Sequence, residues 1–306
     1  MSPLASVRTM PAPAARRRRH INPGYAFTLP AITLLGLVLL VPLGDVFYLS
    51  VHTDASGGKL TFAGLSNYRR FLDDPLFWNA VRNTSIFTVG SVVLHLLLGM
   101  GAALLLNREI KGRTVFRVIA LVPWMFSSVV VAALWNWMYS PQFGVINDIL
   151  DRLGIHSAAE IAWLGDLDLA LPAVIFANAW RGFPFVMIMV LAGLQTIPRE
   201  QYEAADVDGA SGLAAFRYVT LPHLRFVIGI AVILDCIWTF RYFDLIQVMT
   251  RGGPASATEV LVTLVFRNSF EYFNFGYASA IAIVTFLILL GFTLVYVRAV
   301  LTEERR

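Results

Sequence analysis

Long apolar blocks, nearly free of charge, divide the chain at about Phe27 to Val51, Thr84 to Leu106, Val115 to Tyr139, Leu169 to Gln195, Phe226 to Thr250 and Gly276 to Val300. Apolar residues fill each block instead of recurring as a stripe, and a bilayer core of about 30 Å takes roughly 20 such residues per helix. The pattern predicts an all-α membrane protein with six transmembrane helices. Composition agrees: 57% of the 306 residues are hydrophobic and 14% charged, against about 25% charged in soluble domains.

The Lys and Arg residues orient the spans. Arg8, Arg16 to Arg19, Arg108, Lys111, Arg113, Arg117, Arg199, Arg217, Arg225, Arg298, Arg305 and Arg306 fall on one side; only Lys59, Arg69, Arg70, Arg82, Arg152, Arg251 and Arg267 fall on the other. This asymmetry predicts both termini inside, N-in and C-in. The first block follows the Arg run and resembles a signal peptide, but it is too long and lacks a small-residue cleavage site, so it reads as a retained span. Residues 1–26 read as a disordered basic cytoplasmic tail and residues 27–306 as the transmembrane domain.

A net charge of +4 does not indicate a nucleic-acid partner, because the basic residues sit at block ends and not on one face. The single Cys236 and five scattered histidines give no disulfide framework, metal site or catalytic constellation. No G-x-x-x-x-G-K-[ST] loop is present; Gly57-Gly58-Lys59 lacks the earlier glycine and the following hydroxyl. His95 and Cys236 read as packing residues, and Trp124, Trp135 and Trp137 as interfacial or packing ones. The acidic segment Ser140 to Asp168 reads either as a docking surface for an external partner or as a solvated loop.

Between the fourth and fifth blocks lies Thr196 to Arg225. Pro198 suits a helix start, Glu203 to Asp208 continues it and Gly209 ends it; Ser211 caps a second short helix that stops before Leu221-Pro222. A helix, turn and helix is more than a link between spans requires.

Of the ionisable residues inside spans, four matter for function: Arg181, Asp235, Arg241 and Asp244. Such groups are costly in a bilayer and mark functional sites by default. Asn178, Arg181, Gly182 and Phe185 share one helical face, Asp235, Trp238, Thr239 and Tyr242 repeat the same spacing, and Pro184 loosens the first helix. Two polar and aromatic faces at one depth suit a sugar in a midplane cavity. Structural alternatives stay open: an Arg241–Asp244 pair on one helix, or an Arg181–Asp235 bridge between spans.

Glu203-Ala204-Ala205, Asp208-Gly209-Ala210, Phe216 and Leu221-Pro222 resemble the EAA loop of binding-protein-dependent ABC importer permeases. Gly112-Arg113, Leu121-Val122-Pro123-Trp124, Gly144-Val145-Ile146-Asn147, Trp180-Arg181-Gly182-Phe183-Pro184, Thr250-Arg251-Gly252-Gly253-Pro254 and Gly276-Tyr277-Ala278 are similar to its carbohydrate branch, which includes maltose and glycerol-3-phosphate permeases.

The resemblance implies a type I ABC importer permease fold with the loop 196–225 as a coupling element. Glu203, Ala204, Ala205, Asp208, Gly209 and Pro222 would contact the ATPase, and the two quartets would contact solute. It further implies a non-enzymatic subunit of the bacterial cytoplasmic membrane, working by alternating access on a sugar or polyol. The implied partners are a second homologous permease, two ATPase subunits and an extracytoplasmic solute-binding protein. No cofactor is bound by this chain, ATP and Mg being held by the ATPase. A stand-alone secondary transporter or channel, with the four ionisable residues as an ion relay, is the alternative.

Overall fold

In the computed structural model of the protein, the structure describes residues 23–55, 59–155 and 161–303. Contacts divide the chain into a unit ending at Asp45 and one that begins at Val46. Helix α1 (Pro23–Ser50) is apolar from Phe27 onward. Pro30 and Pro42 lie inside it, as membrane helices tolerate. The tail expected at residues 1–26 lies outside the described residues up to 22, and helix already begins at Pro23.

After the short helix α2 (Ser66–Leu72), helix α3 (Pro75–Asn107) starts earlier than the apolar block because Asp74 caps it, accepting from the Leu76 N–H at 2.9 Å with Pro75 next in line. Its 33 residues extend about 50 Å at 1.5 Å each, so its first turns stand outside the hydrocarbon. The expected span Val115 to Tyr139 is instead two helices, α4 (Arg113–Met125) and α5 (Ser128–Met138), bent by 96°. Phe126 and Ser127 are extended, and the Ser127 hydroxyl caps the second helix at Val130 N–H, 3.4 Å away. Pro123, without an N–H, leaves the last turn of α4 short of a hydrogen bond.

Helix α7 (Ala170–Leu194) matches the fourth block. The fifth span differs at both ends. Helix α9 (Gly212–Ala215) does not stop before Leu221-Pro222 but continues through a wide π turn, Phe216–Thr220, into α10 (Leu221–Phe240). Pro222 falls in the first turn of α10, where its missing donor costs little. The helix then ends at Phe240, and Arg241 to Phe243 lead into α11 (Asp244–Met249). The last span is α13 (Phe275–Glu303). Among the described residues, five helices are long and apolar enough to cross a membrane, six with the bent pair.

Packing centres on α3 against α7, with α10 on both. A Cβ at Gly99 would lie 2.8 Å from the Phe183 carbonyl oxygen, so glycine lets these two backbones close, as small residues do between membrane helices. One core cluster gathers Phe87, Trp135, Val174, Leu245 and Ile246; another gathers Leu106, Met187, Leu191 and Leu224. A hairpin that the apolar pattern does not announce, β1 (His52–Ala55) with β2 (Lys59–Phe62), pairs antiparallel after α1.

The segment from Thr250 to Val260 folds into a tight cap before the short helix α12 (Leu261–Phe266). Arg251, Gly252, Ala255 and Ser256 have left-handed backbone angles. Asn83 holds it from α3, donating to the carbonyls of Ala257 (3.0 Å) and Glu259 (3.1 Å). Glu259 is fully buried and ion-paired with Arg267, and burial pushes its carboxyl above the usual range against the pull of Thr263 and Arg267. The folded state thus favours protonated Glu259, so its contribution to stability is greatest below its ordinary pKa and declines as pH rises past it. Arg267→Ala is expected to cost about 3–5 kcal/mol at neutral pH, because it strands a buried charge. Glu259→Met with Arg267→Met is expected to recover most of this, and thermal unfolding in detergent measures both.

Candidate functional site

The ionisable residues of the spans do not pair as their spacing allows. Asp235 on α10 meets His95 on α3, with Oδ2 2.7 Å from Nδ1, while His95 Nε2 lies 3.0 Å from the backbone carbonyl of Asn178 on α7. A carbonyl only accepts, so Nε2 carries a hydrogen. A bare Nδ1 would then set its lone pair against the carboxylate, so a proton also lies between Nδ1 and Asp235. The pair is therefore neutral as a unit, whichever partner holds that proton. Thr239 donates to the other carboxylate oxygen at 3.3 Å. Gly182 makes room for this contact: a Cβ there would run into the His95 ring.

This network is sealed. Asn178, Asp235 and Thr239 are at most 5% exposed and His95 is 2% exposed, so they tie α3, α7 and α10 together and present nothing to a solute in this chain. His95, read from sequence as a packing residue, is the centre of the network, bonded to Asp235 of one polar quartet and to Asn178 of the other.

Arg181, half-buried on α7, does not bridge to Asp235. Its guanidinium sits 5.5 Å from the centroid of the Tyr242 ring. Tyr242 lies beyond the end of α10, in the break, and its hydroxyl is 3.0 Å from that of Ser128, the first residue of α5. Arg241 and Asp244 flank the same break, so the helix-surface pair proposed for them does not form. The two interruptions of the membrane helices therefore meet at Ser128 and Tyr242. Non-helical backbone at membrane depth persists only where protein buries it or a polar cavity wets it.

Aromatic rings continue this face. Phe185 contacts Trp238 edge-on at 4.9 Å and approaches Trp124 at 6.5 Å, and both indoles are more than two-fifths exposed. A crevice of about 490 Å³ lies elsewhere, lined by Val81, Thr88, Ile233, Cys236, Phe240 and Phe292; it is nearly all apolar and carries none of the quartet residues.

At the loop between α7 and α10, helix α8 (Arg199–Val207) buries no residue. Gly209, at φ +74°, reverses the chain so that the Ala210 N–H reaches the Ala205 carbonyl at 2.9 Å. The Ser211 hydroxyl caps α9, and the Tyr202 and Thr220 hydroxyls, 3.0 Å apart, staple α8 to the π turn. Outward from this rigid hook stand Glu203, Ala204, Asp208 and Pro222, with Val207 88%, Leu213 78% and Tyr218 79% exposed. Ala205 is half-buried beneath them.

Residues 95–305 match the family model described as the binding-protein-dependent transport system inner membrane component. The chain belongs to this family. It is a multi-pass inner-membrane permease subunit. Curated relatives include the trehalose/maltose permease protein MalF of Thermococcus litoralis, 39% identical over 92% of this chain and 94% of the relative. The sulfoquinovosyl glycerol permease SmoG of Agrobacterium fabrum is 36% identical over 90% of this chain and 89% of its own. The diacetylchitobiose permease DasB of Streptomyces coelicolor is 35% identical over 96% and 90%. A solved chain of a bacterial alginate ABC transporter, crystallised with an alginate-bound periplasmic protein, superposes with a TM-score of 0.76 over 89% of this chain and 92% of that one, at 24% identity. The fold is thus that of type I ABC importer permeases.

In this permease the external segment Ser140 to Asp168 has its own order. Helix α6 (Val145–Arg152) is tied down by Asn147, which accepts from Trp163 Nε1 at 2.6 Å. Glu160, one of the acidic residues expected there, lies outside the described residues.

Proposed function

We propose that this chain is the membrane subunit of an ATP-driven importer for a carbohydrate or related polyol, and that solute passes along the face of Arg181, Phe185, Trp238 and Tyr242. The observation that carries the coupling role is the hook of α8 and α9. It is braced from within by Tyr202 and Thr220, yet Val207, Leu213 and Tyr218 are not covered by any of the described residues. A rigid apolar projection of this kind fits a cleft on another subunit and can hand on motion as a unit. ATP and Mg then belong to that subunit, since this sequence has no phosphate loop.

The full assembly in this reading is a second, homologous permease, two ATPase subunits and an extracytoplasmic solute-binding protein. Solute enters from outside, and ATPase closure, transmitted through Glu203 to Gly209, reopens the path inward. The named relatives handle neutral sugars and a sulfonated one, which supports the carbohydrate class and leaves charge undecided. The stand-alone ion carrier is not favoured: Asp235 is closed off with His95, and Arg241 and Asp244 form no chain with it.

Co-expression with the neighbouring genes, purification through one tag in mild detergent and mass spectrometry of what co-purifies test this. A stoichiometric ATPase and a second permease are the expected result. A chain that purifies alone and moves solute or ions in liposomes without ATP would sink the proposal.

A further inference from the structure

We infer that the solute face of this permease takes an anionic glycoside: a saccharide or glycosyl glycerol bearing a carboxylate, sulfonate or phosphate. This rests on the importer reading above and adds the charge of the substrate.

Three helices bring ionisable groups to this seam: α7 gives Arg181, α3 gives His95 and α10 gives Asp235. Asp244, at the start of α11, acts with Arg181 on the Tyr242 hydroxyl. The sequence alone sets Asp235 against Arg181 and leaves the balance open. In the fold the two hydrogen bonds of His95 require a proton shared with Asp235, so that pair adds no charge, and it is buried away from solute. That leaves Arg181 as the cation beside the Tyr242 ring.

Among the described residues no carboxylate is ion-paired with Arg181. Its neighbour is the Tyr242 ring, and its Nε is buried without a hydrogen-bond partner. A cation at membrane depth normally has a counter-charge, and a buried donor normally has an acceptor. A planar oxyanion supplies both, taking two parallel hydrogen bonds from one edge of the guanidinium. Beside it, Phe185 and Trp238 offer ring faces and edges for the C–H surface of a sugar. The site is thus a fork for an anion next to an apolar platform for a pyranose.

The test uses cells in which this importer, with its own partners, is the only route for saccharides. They are given an equimolar mixture of neutral oligosaccharides, uronic-acid oligosaccharides, and the matched pair sulfoquinovosyl glycerol and glucosyl glycerol, and accumulated solutes are identified by mass spectrometry. Wild type is expected to accumulate anionic members of the mixture. Arg181→Gln is expected to reduce that accumulation about ten- to a hundred-fold, the worth of a charge-assisted pair of hydrogen bonds, with the complex still co-purifying. Arg181→Lys, which keeps the charge but not the fork, should fall between.

A wild type that accumulates no anionic member, or an Arg181→Gln variant that assembles and accumulates them at the wild-type rate, overturns the inference. Failure of the importer reading looks different: accumulation would persist when the P-loop lysine of the co-purifying ATPase is replaced.

Discussion

Asp235→Ala is expected to leave little folded permease, whereas Asp235→Asn is expected to assemble almost as well as wild type. The difference follows from what each leaves His95 to bond. Alanine strands a fully buried imidazole nitrogen between three packed helices, and breaking a buried hydrogen-bonded ion pair costs about 3–5 kcal/mol. Asparagine can turn its Nδ2–H toward Nδ1 of a neutral His95, whose Nε2–H still reaches the Asn178 carbonyl. His95→Leu with Asp235→Leu should recover much of the loss, because the buried ionisable pair is removed as a whole and only the Thr239 hydroxyl and the Asn178 carbonyl lose a partner. Thermal unfolding in detergent and abundance in the membrane report all of these. Equal stability of the alanine and asparagine variants would show that the pair does not hold the helices together.

Leu213→Glu and Glu203→Lys are expected to abolish ATP-driven uptake while leaving the fold intact. Both side chains point out of the hook, Leu213 at 78% exposure, so neither change breaks an internal contact, and exposed substitutions of this kind stay within about 0.5 kcal/mol of neutral. Against another subunit the same changes bury a charge without a partner or reverse one, which costs about 2–5 kcal/mol at an interface. That corresponds to a loss of roughly thirty-fold or more in association. The paired measurements are unfolding temperature, unchanged, and co-purification of the ATPase, lost. Retention of wild-type solute-stimulated ATP hydrolysis in either variant would remove the hook from the coupling path.

Much of this was legible in the residues. The apolar blocks located every membrane segment, since only a helix satisfies its own backbone in lipid, and the Glu203 to Pro222 pattern marked the hook, whose caps and turn are local events. Boundaries were legible only where a local signal made them. Asp74-Pro75 shows how α3 gains its first turns, and Ser127 shows how α4 and α5 part, but neither signal competes visibly with an unbroken apolar run. The break after Phe240 has no such marker, and it moves Tyr242 off the helix that carries Asp235.

The site divided along the same line. Helical spacing groups Asn178 with Arg181 and Asp235 with Trp238, yet the fold buries the first of each pair and leaves Arg181 half-buried and Trp238 exposed. It could not say which edge of each face turns into the seam with α3, because that depends on how closely the helices approach, and the approach is set by Gly99 and Gly182 meeting residues more than eighty positions away. By itself, then, the sequence determined a six-segment membrane permease with a projecting cytoplasmic hook. Only the tertiary structure decided that His95 pairs with Asp235 and that Arg181 stands beside Tyr242 instead, because charge pairing in a low-dielectric interior is settled by contact distance and not by distance along the chain.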